Sequence, residues 1–167
     1  MTGNLLSEIY RKSPLGWIKI AGDREGIAEV AFVGRPSAPR GLPVPAPLWR
    51  CARELGEYFR GRRTKFTVPL RPRGTAFQIR VWKKLGNVRF ARSISYRELA
   101  ASVGNAAAAR AVGGALNKNK VAVVIPCHRV LGRDGALTGY ASGLRKKRWL
   151  LNHERATVSN KNSGGLI

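Results

Sequence analysis

The chain has 167 residues, enough for one ordinary domain or two small ones with a real core. Hydrophobic residues make up 44%, which argues against disorder throughout, and no window reaches the roughly 18 apolar residues of a membrane span. Thirty-one Lys and Arg against nine Asp and Glu leave a formal charge of +22, which repels itself in a compact fold and concentrates polyanions around it. Nucleic acid is the expected partner, ahead of a basic surface with no dedicated partner or an acidic membrane surface. The N-terminal "MTGNLLSEIYRKS" lacks a basic region followed by an apolar stretch and a small-residue cleavage site, so an intracellular, cytoplasmic protein (nuclear in a eukaryote) with no membrane association is the expectation.

Residues 8 to 33 alternate apolar and polar side chains around Pro14-Leu15-Gly16 and Gly22-Asp23, the pattern of a strand meander. "RPSAPRGLPVPAP" is too rich in proline for anything but an extended loop. A helix is expected over 48 to 60, with Leu48, Cys51, Ala52, Leu55 and Phe59 at helical spacing, and a strand over "KFTVPL". Cys51 on that apolar face reads as a buried structural thiol. Pro72 and Gly74 make 71 to 75 the linker, dividing an N-terminal domain (1–70) from a C-terminal one (76–155) and a mobile tail (156–167). The expected fold class is α/β (α+β): a small N-terminal α/β domain and a mainly helical second domain.

In the second half, Phe77, Val81, Trp82 and Leu85 share one helical face. Ser95 with Glu98 three residues on is a capping box. That helix ends at Gly104, and Asn105 can cap the next, "AAAARAVGGALNKN", which completes a helix-turn-helix pattern. The second helix has almost no bulk around Arg110. Its Ala and Gly residues suit either close packing inside the protein or close approach to a DNA groove, and the charge favours DNA. Val123 to Ile125 read as a short buried strand ended by Pro126. The last helix, 142 to 154, has Leu144, the stem of Lys147, Trp149 and Leu150 at helical spacing, a Ser142 cap, His153 and Glu154 at its close, and a solvated face of Lys and Arg.

Cys127 and His128 are adjacent just where that strand breaks, although the chain has only two residues of each type. A free thiol is only about 3% ionised at neutral pH, so a reactive cysteine needs a base or a positive field, and His128 is the obvious base. Neighbours in extended chain point to opposite sides, so contact needs a bend after Pro126 or an intervening water. The imidazole needs an acceptor to fix its tautomer. Glu98 is taken by the capping box and Asp134 by the "GRDG" turn, which leaves Glu154 as a good candidate. Four zinc ligands cannot be assembled without using both histidines and both cysteines, so no metal is expected.

"IPCHRV" with "GYASGL" downstream resembles the O6-alkylguanine-DNA alkyltransferase family. "FQIRVWKKL", "SISYRELA", "ARAVGGALNKN" and "RWLLNHE" follow the same pattern, strongly over 74 to 154 and more weakly upstream, in "ELGEYFRGRRTKFTVPL". The resemblance implies that an alkylated guanine is flipped out of duplex DNA and that the Cys127 thiolate takes the alkyl group from O6. It implies that His128 accepts the thiol proton through a water, that Glu154 orients His128, that Tyr96 acts near N3 of the leaving guanine, and that Asn119 braces the turn beneath the cysteine. Arg110 would enter the duplex where the base was. Its helix would lie in the minor groove through Ala108, Ala109 and Gly113, without sequence preference. Tyr140, Ala141 and Ser142 would close the pocket that Val130 helps to line. No cofactor is implied, a thioether has no easy way back, and the chain would act once, as a monomer. Arg89, Phe90 and Ala91 depart from the family's Pro-x-Gly, and Lys120 stands where proline is frequent. The rival readings are a Cys-His hydrolase, which would turn over, a non-catalytic lesion binder and a basic DNA-packaging protein.

Overall fold

The computed structural model describes residues 6–38, 41 and 43–163. The chain forms two compact units: one from the residues up to Arg73 together with Lys120–Val124, the other from Gly74–Asn119 together with Ile125 onward. Among the described residues no helix is long and apolar enough to cross a membrane.

In the first unit, β1 (Ser7–Ser13), β2 (Gly16–Gly22) and β3 (Ile27–Val33) form an antiparallel meander in the order β1-β2-β3. Pairing of Ile9 with Ile20, and of Ile20 with Val30, aligns the apolar residues on one face. α1 (Ala46–Phe59) tolerates Pro47 because the first helical turn needs no amide donor there. It buries Leu48, Cys51, Leu55 and Tyr58, each worth about 1.5–3 kcal/mol when fully removed from water. The proline-rich stretch is irregular at 35–38, 41 and 43–45, while 39, 40 and 42 lie outside the described residues.

The expected strand over "KFTVPL" is not formed. Its backbone is taken by a side chain instead: the buried Glu54 carboxylate accepts from the amides of Thr67 (2.8 Å) and Val68 (3.3 Å). Only Leu70 makes a bridge, parallel to Ile27. The expected strand over Val123–Ile125 is also absent. Lys120 and Ala122 exchange hydrogen bonds with Val30 at 2.8 Å, after which the chain turns, with Val123 at φ 70. All three residues are buried, so the apolar run reports burial and not extension.

In the second unit, α2 (Ala76–Leu85) and α3 (Tyr96–Ser102) open with capping boxes, Thr75 with Gln78 and Ser95 with Glu98. Asn105 accepts from the Ala107 amide at 2.9 Å and starts a single 3-10 turn, Ala106–Ala108, that runs into α4 (Ala109–Asn117). The small residues of α4 divide by face. Ala115 is buried and its carbonyl accepts from the Trp82 indole at 2.9 Å, while Gly114 faces open space. β4 (Ile94–Ser95) pairs in parallel with β5 (Val130–Leu131).

α5 spans Leu144–Ser163. Gly143, at φ 94, holds the capping position expected for Ser142, and its carbonyl accepts from the amides of Lys146 and Lys147. Leu144 is 44% exposed and not part of the core. The helix does not close at His153 and Glu154. The segment expected to be mobile from 156 is helical to Ser163, with Thr157 buried, and 164–167 lie outside the described residues.

Candidate active site

Pro126 leads into one 3-10 turn, Cys127–Arg129, which supplies the bend that an extended Cys-His pair would lack. The turn is closed by the Arg129 amide donating to Pro126 O at 3.0 Å. Two parallel strands then fix its surroundings: β5 follows Arg129 directly, and its partner β4 delivers Tyr96 at the first position of α3.

Asn119 is buried, and its Nδ2 donates to Ile125 O (3.1 Å) and to Cys127 Sγ (3.3 Å). Cys127 is only 7% exposed. Burial pushes its thiol above the ordinary range. The Asn119 amide, the Lys147 charge and the amides of Cys127 and His128 pull the other way without overcoming it.

His128 is fully buried with Nε2 2.7 Å from Glu154 Oε1. Burial lowers its pKa further than the Glu154 contact raises it, so the ring is neutral at pH 7. A carboxylate facing Nε2 fixes the proton there and leaves Nδ1 as the basic nitrogen. Nδ1 is buried and has no hydrogen-bond partner among the described residues.

Glu154 is fully buried, which by itself would raise its pKa. The hydrogen bond from His128, together with the hydrogen bonds and charge of the Arg129 guanidinium, outweighs that and holds it at about 2. Arg129 Nε lies 3.0 Å from Oε2 and Nη2 lies 3.0 Å from Oε1, a two-pronged pair, and the Ala91 amide donates to Oε2 at 2.9 Å. The remaining guanidinium edge donates to Val88 O at 2.6 Å, and its carbon stands 5.7 Å from the Phe90 ring centre.

Sequence reasoning missed two groups here. Arg129 stood inside "IPCHRV" without a role. Lys147, assigned to a solvated face apart from its stem, is fully buried, and its Nζ donates to Thr138 O and to Gly139 O (3.0 Å). The spacing of Lys147 from Leu150 and Leu151 was the available signal, and the run "RKKR" masked it.

The other expected residues fall at different depths. Tyr96 is half-buried and its Oη donates to Thr138 O at 3.3 Å. Tyr140 Oη is buried without a hydrogen-bond partner among the described residues, and burial raises its pKa well above the usual value. Ala141 is exposed and Ser142 half-buried, whereas Val130 is wholly enclosed in β5. Arg110 is exposed; Ala108, Ala109 and Gly113 are half-buried, with Gly113 facing the Tyr96 ring. Ala106, Ala107, Ala111 and Gly114 complete the exposed, nearly bulk-free surface around Arg110. An open cavity of about 830 Å³ lies beside it, walled by residues that include Tyr96, Ala106, Ala109, Leu131 and Arg133. Among the described residues no group of three or more His, Cys, Asp or Glu is placed to hold a metal ion.

Residues 76–156 match the model of the 6-O-methylguanine DNA methyltransferase DNA binding domain, and residues 6–72 match that family's ribonuclease-like domain. The chain belongs to the 6-O-methylguanine DNA methyltransferase family. It is 42% identical over 151 residues to the methylated-DNA–protein-cysteine methyltransferase of Methanosarcina barkeri, covering 86% of this chain and 93% of that one. The crystal structure of the Mycobacterium tuberculosis O6-methylguanine methyltransferase superposes with a TM-score of 0.82 at 36% identity, covering 92% of this chain and 94% of the other. The Mycobacterium tuberculosis OGT structure in complex with DNA does so with a TM-score of 0.80 at 39% identity, covering 89% and 92%. Within this family fold, the departure noted at Ala91 has a visible consequence. Ala91 stands at φ 59, a left-handed conformation that suits glycine, with its amide on Glu154.

Proposed function

We propose that this chain repairs DNA directly, transferring an alkyl group from O6 of guanine to Sγ of Cys127 in a reaction that each molecule performs once. The observation that carries this reading is the arrangement around the sulfur: a buried thiol beside an amide donor, next to a neutral histidine whose Nε2 is engaged by an ionised glutamate.

The step balances with the residues at hand. The Cys127 proton passes through a water to Nδ1 of His128, and Glu154 supports the imidazolium that results. The thiolate forms an S–C bond as the C–O6 bond breaks, and the electron pair moves into the guanine ring. Tyr96 supplies a proton or hydrogen bond at N3 of the leaving base. Asn119 holds the turn and the sulfur. The product is a thioether with no leaving group that this site can expel, so the chain is consumed.

DNA is the partner, as family membership and the +22 charge together support. More finely, the substrate is double-stranded DNA bearing O6-alkylguanine, bound through the minor groove by the face around Arg110, without sequence preference and by a monomer. Arg110 fills the space left by the flipped base, while Tyr140, Ala141 and Ser142 close over it. Residues 71–75 serve as the linker between an N-terminal domain and the domain that binds DNA and carries Cys127. The protein works in the cytoplasm, or in the nucleus of a eukaryotic cell.

Duplex DNA labelled in the O6-methyl group tests the reading. The label is expected to move to the protein, and to stay on the DNA with Cys127→Ser. Label released to solvent with the protein unmodified would indicate hydrolysis and contradict it.

A further inference from the structure

The β1–β2 hairpin and α1 line an open cavity of about 410 Å³ that the reaction proposed above does not use. Every residue lining it belongs to the first unit. Buried Ile18 and Leu55 and half-buried Phe59 make its wall apolar. Arg11, Lys12 and Arg60 bring positive charge, with no Asp or Glu among the described lining residues. The acids of α1 are engaged elsewhere: Glu54 pairs with Arg50 and Arg63, and Glu57 with Arg53 and Arg63. Among the described residues neither Arg11 nor Arg60 makes a salt bridge. Arg11 uses one of its five N–H donors, from Nη1 to Tyr10 O at 2.8 Å.

An aromatic platform adjoins the cavity. The Arg11 guanidinium lies over the Trp49 ring, 4.8 Å from its centre, and Trp49, in the first turn of α1, is 51% exposed. One arginine therefore steadies an exposed indole and lines the cavity beside it. We propose that this groove binds single-stranded nucleic acid. One base enters the cavity against Phe59 and Leu55, its phosphates meet Arg11 and Arg60, and a neighbouring base stacks on Trp49. Cations without carboxylates select a polyanion, while an indole and an apolar wall select flat faces, the combination that holds unpaired bases. A duplex cannot offer those faces, because each is covered within the stack, and the cavity has the size of a small-molecule site. A free nucleotide would leave Trp49 unused, and an acidic peptide would leave it without a flat partner. The groove shares no residue with the site around Cys127, so it stands or falls independently of alkyl transfer.

The test reads the groove itself in the full chain. Labelling with 5-fluorotryptophan gives ¹⁹F resonances for Trp17, Trp49, Trp82 and Trp149, which single Trp→Phe changes assign. Octathymidylate is expected to move the Trp49 resonance saturably. Arg11→Gln is expected to raise the half-saturating concentration about tenfold, through loss of charged hydrogen bonds to phosphate. Arg60→Gln, at an exposed position, should do the same and decides the matter if the Arg11 variant does not fold. Arg24→Gln, exposed between β2 and β3, should stay within about twofold. A Trp49 resonance that octathymidylate leaves in place would overturn the proposal. Equal losses in the Arg11 and Arg24 variants would also overturn it, since they would show only diffuse attraction to a basic chain. So would an equal response to thymidine monophosphate, the mark of a free-nucleotide pocket, or to polyglutamate of the same length, the mark of an acidic-peptide groove.

Discussion

Glu154 stays ionised inside the protein because its two oxygens accept from His128, Arg129 and the Ala91 amide. Its folded pKa of about 2 lies below the ordinary 4.5, so its contribution to stability is complete above about pH 5 and is lost as pH falls toward 2. The difference corresponds to roughly 3 kcal/mol. His128 adds in the same direction. Its folded pKa is lowered, so below about pH 6.5 the unfolded chain binds a proton that the folded chain resists. Chemical denaturation between pH 7 and pH 3 is expected to show a steep acid loss, made shallower by Glu154→Gln; identical slopes would show that this carboxylate is not the titrating group. Cys51 differs from Cys127 in what surrounds it. Burial, together with the Glu54 charge, pushes its thiol up to about 12, with no offsetting amide or cation among the described residues. Cys127→Ser is expected to abolish transfer and leave duplex affinity nearly intact. Cys51→Ser should keep transfer and lose about 1–3 kcal/mol of stability, as a denaturant titration would read. Glu154 was legible in the sequence by elimination, since two rival acids had visible local duties. Lys147 and Arg129 were not, because sequence cannot tell which members of a basic run turn inward.

At the scale of elements, the capping box of Ser95 with Glu98 was read from the sequence because both partners lie within four residues. The box of Thr75 with Gln78 carries the same local signal but lay at the edge of the expected linker and was passed over. The segment 65–70 shows the opposite case. Its pattern suits a strand, but Glu54, more than ten residues earlier, captures its amides, and a contact at that separation leaves no local trace. Val123 is similar, since an apolar run bounded by proline cannot announce a left-handed turn. The loop before β4 carries a testable strain. Ala91→Gly removes the cost of a Cβ at φ 59 and is expected to raise stability by about 1 kcal/mol, or about 2–4 °C in Tm, with transfer unchanged. A fall in Tm would mean that the methyl group packs usefully. Arg110 stands exposed on α4 among residues without bulk. Arg110→Ala is expected to slow repair of duplex DNA about tenfold or more and reaction with free O6-alkylguanine less than twofold, because a free base has no stack to leave. Equal losses on both substrates would remove the role given to this residue.

For the whole molecule, the charge of +22 was the first signal in the sequence, and it suits a polyanionic partner such as DNA. Duplex affinity is expected to fall steeply with salt, by close to one power of concentration for each phosphate contact, and to vary little with sequence. Filter binding across a salt series reads both, and a flat dependence would place the DNA footprint elsewhere. Fold class was legible because strand alternation precedes helical periodicity along the chain; the contribution of Lys120–Val124 to the first unit was not, because it joins β3 by one bridge, Val121 to Val30. In the proposed reaction Cys127 is consumed by one alkyl group. Intact-protein mass spectrometry, followed by peptide mapping after exposure to excess duplex DNA carrying O6-methylguanine, tests it most directly. Modification is expected to stop at one methyl group per chain, all of it on Cys127. Methyl on Cys51, or continued loss of O6-methylguanine with the protein unmodified, would contradict it.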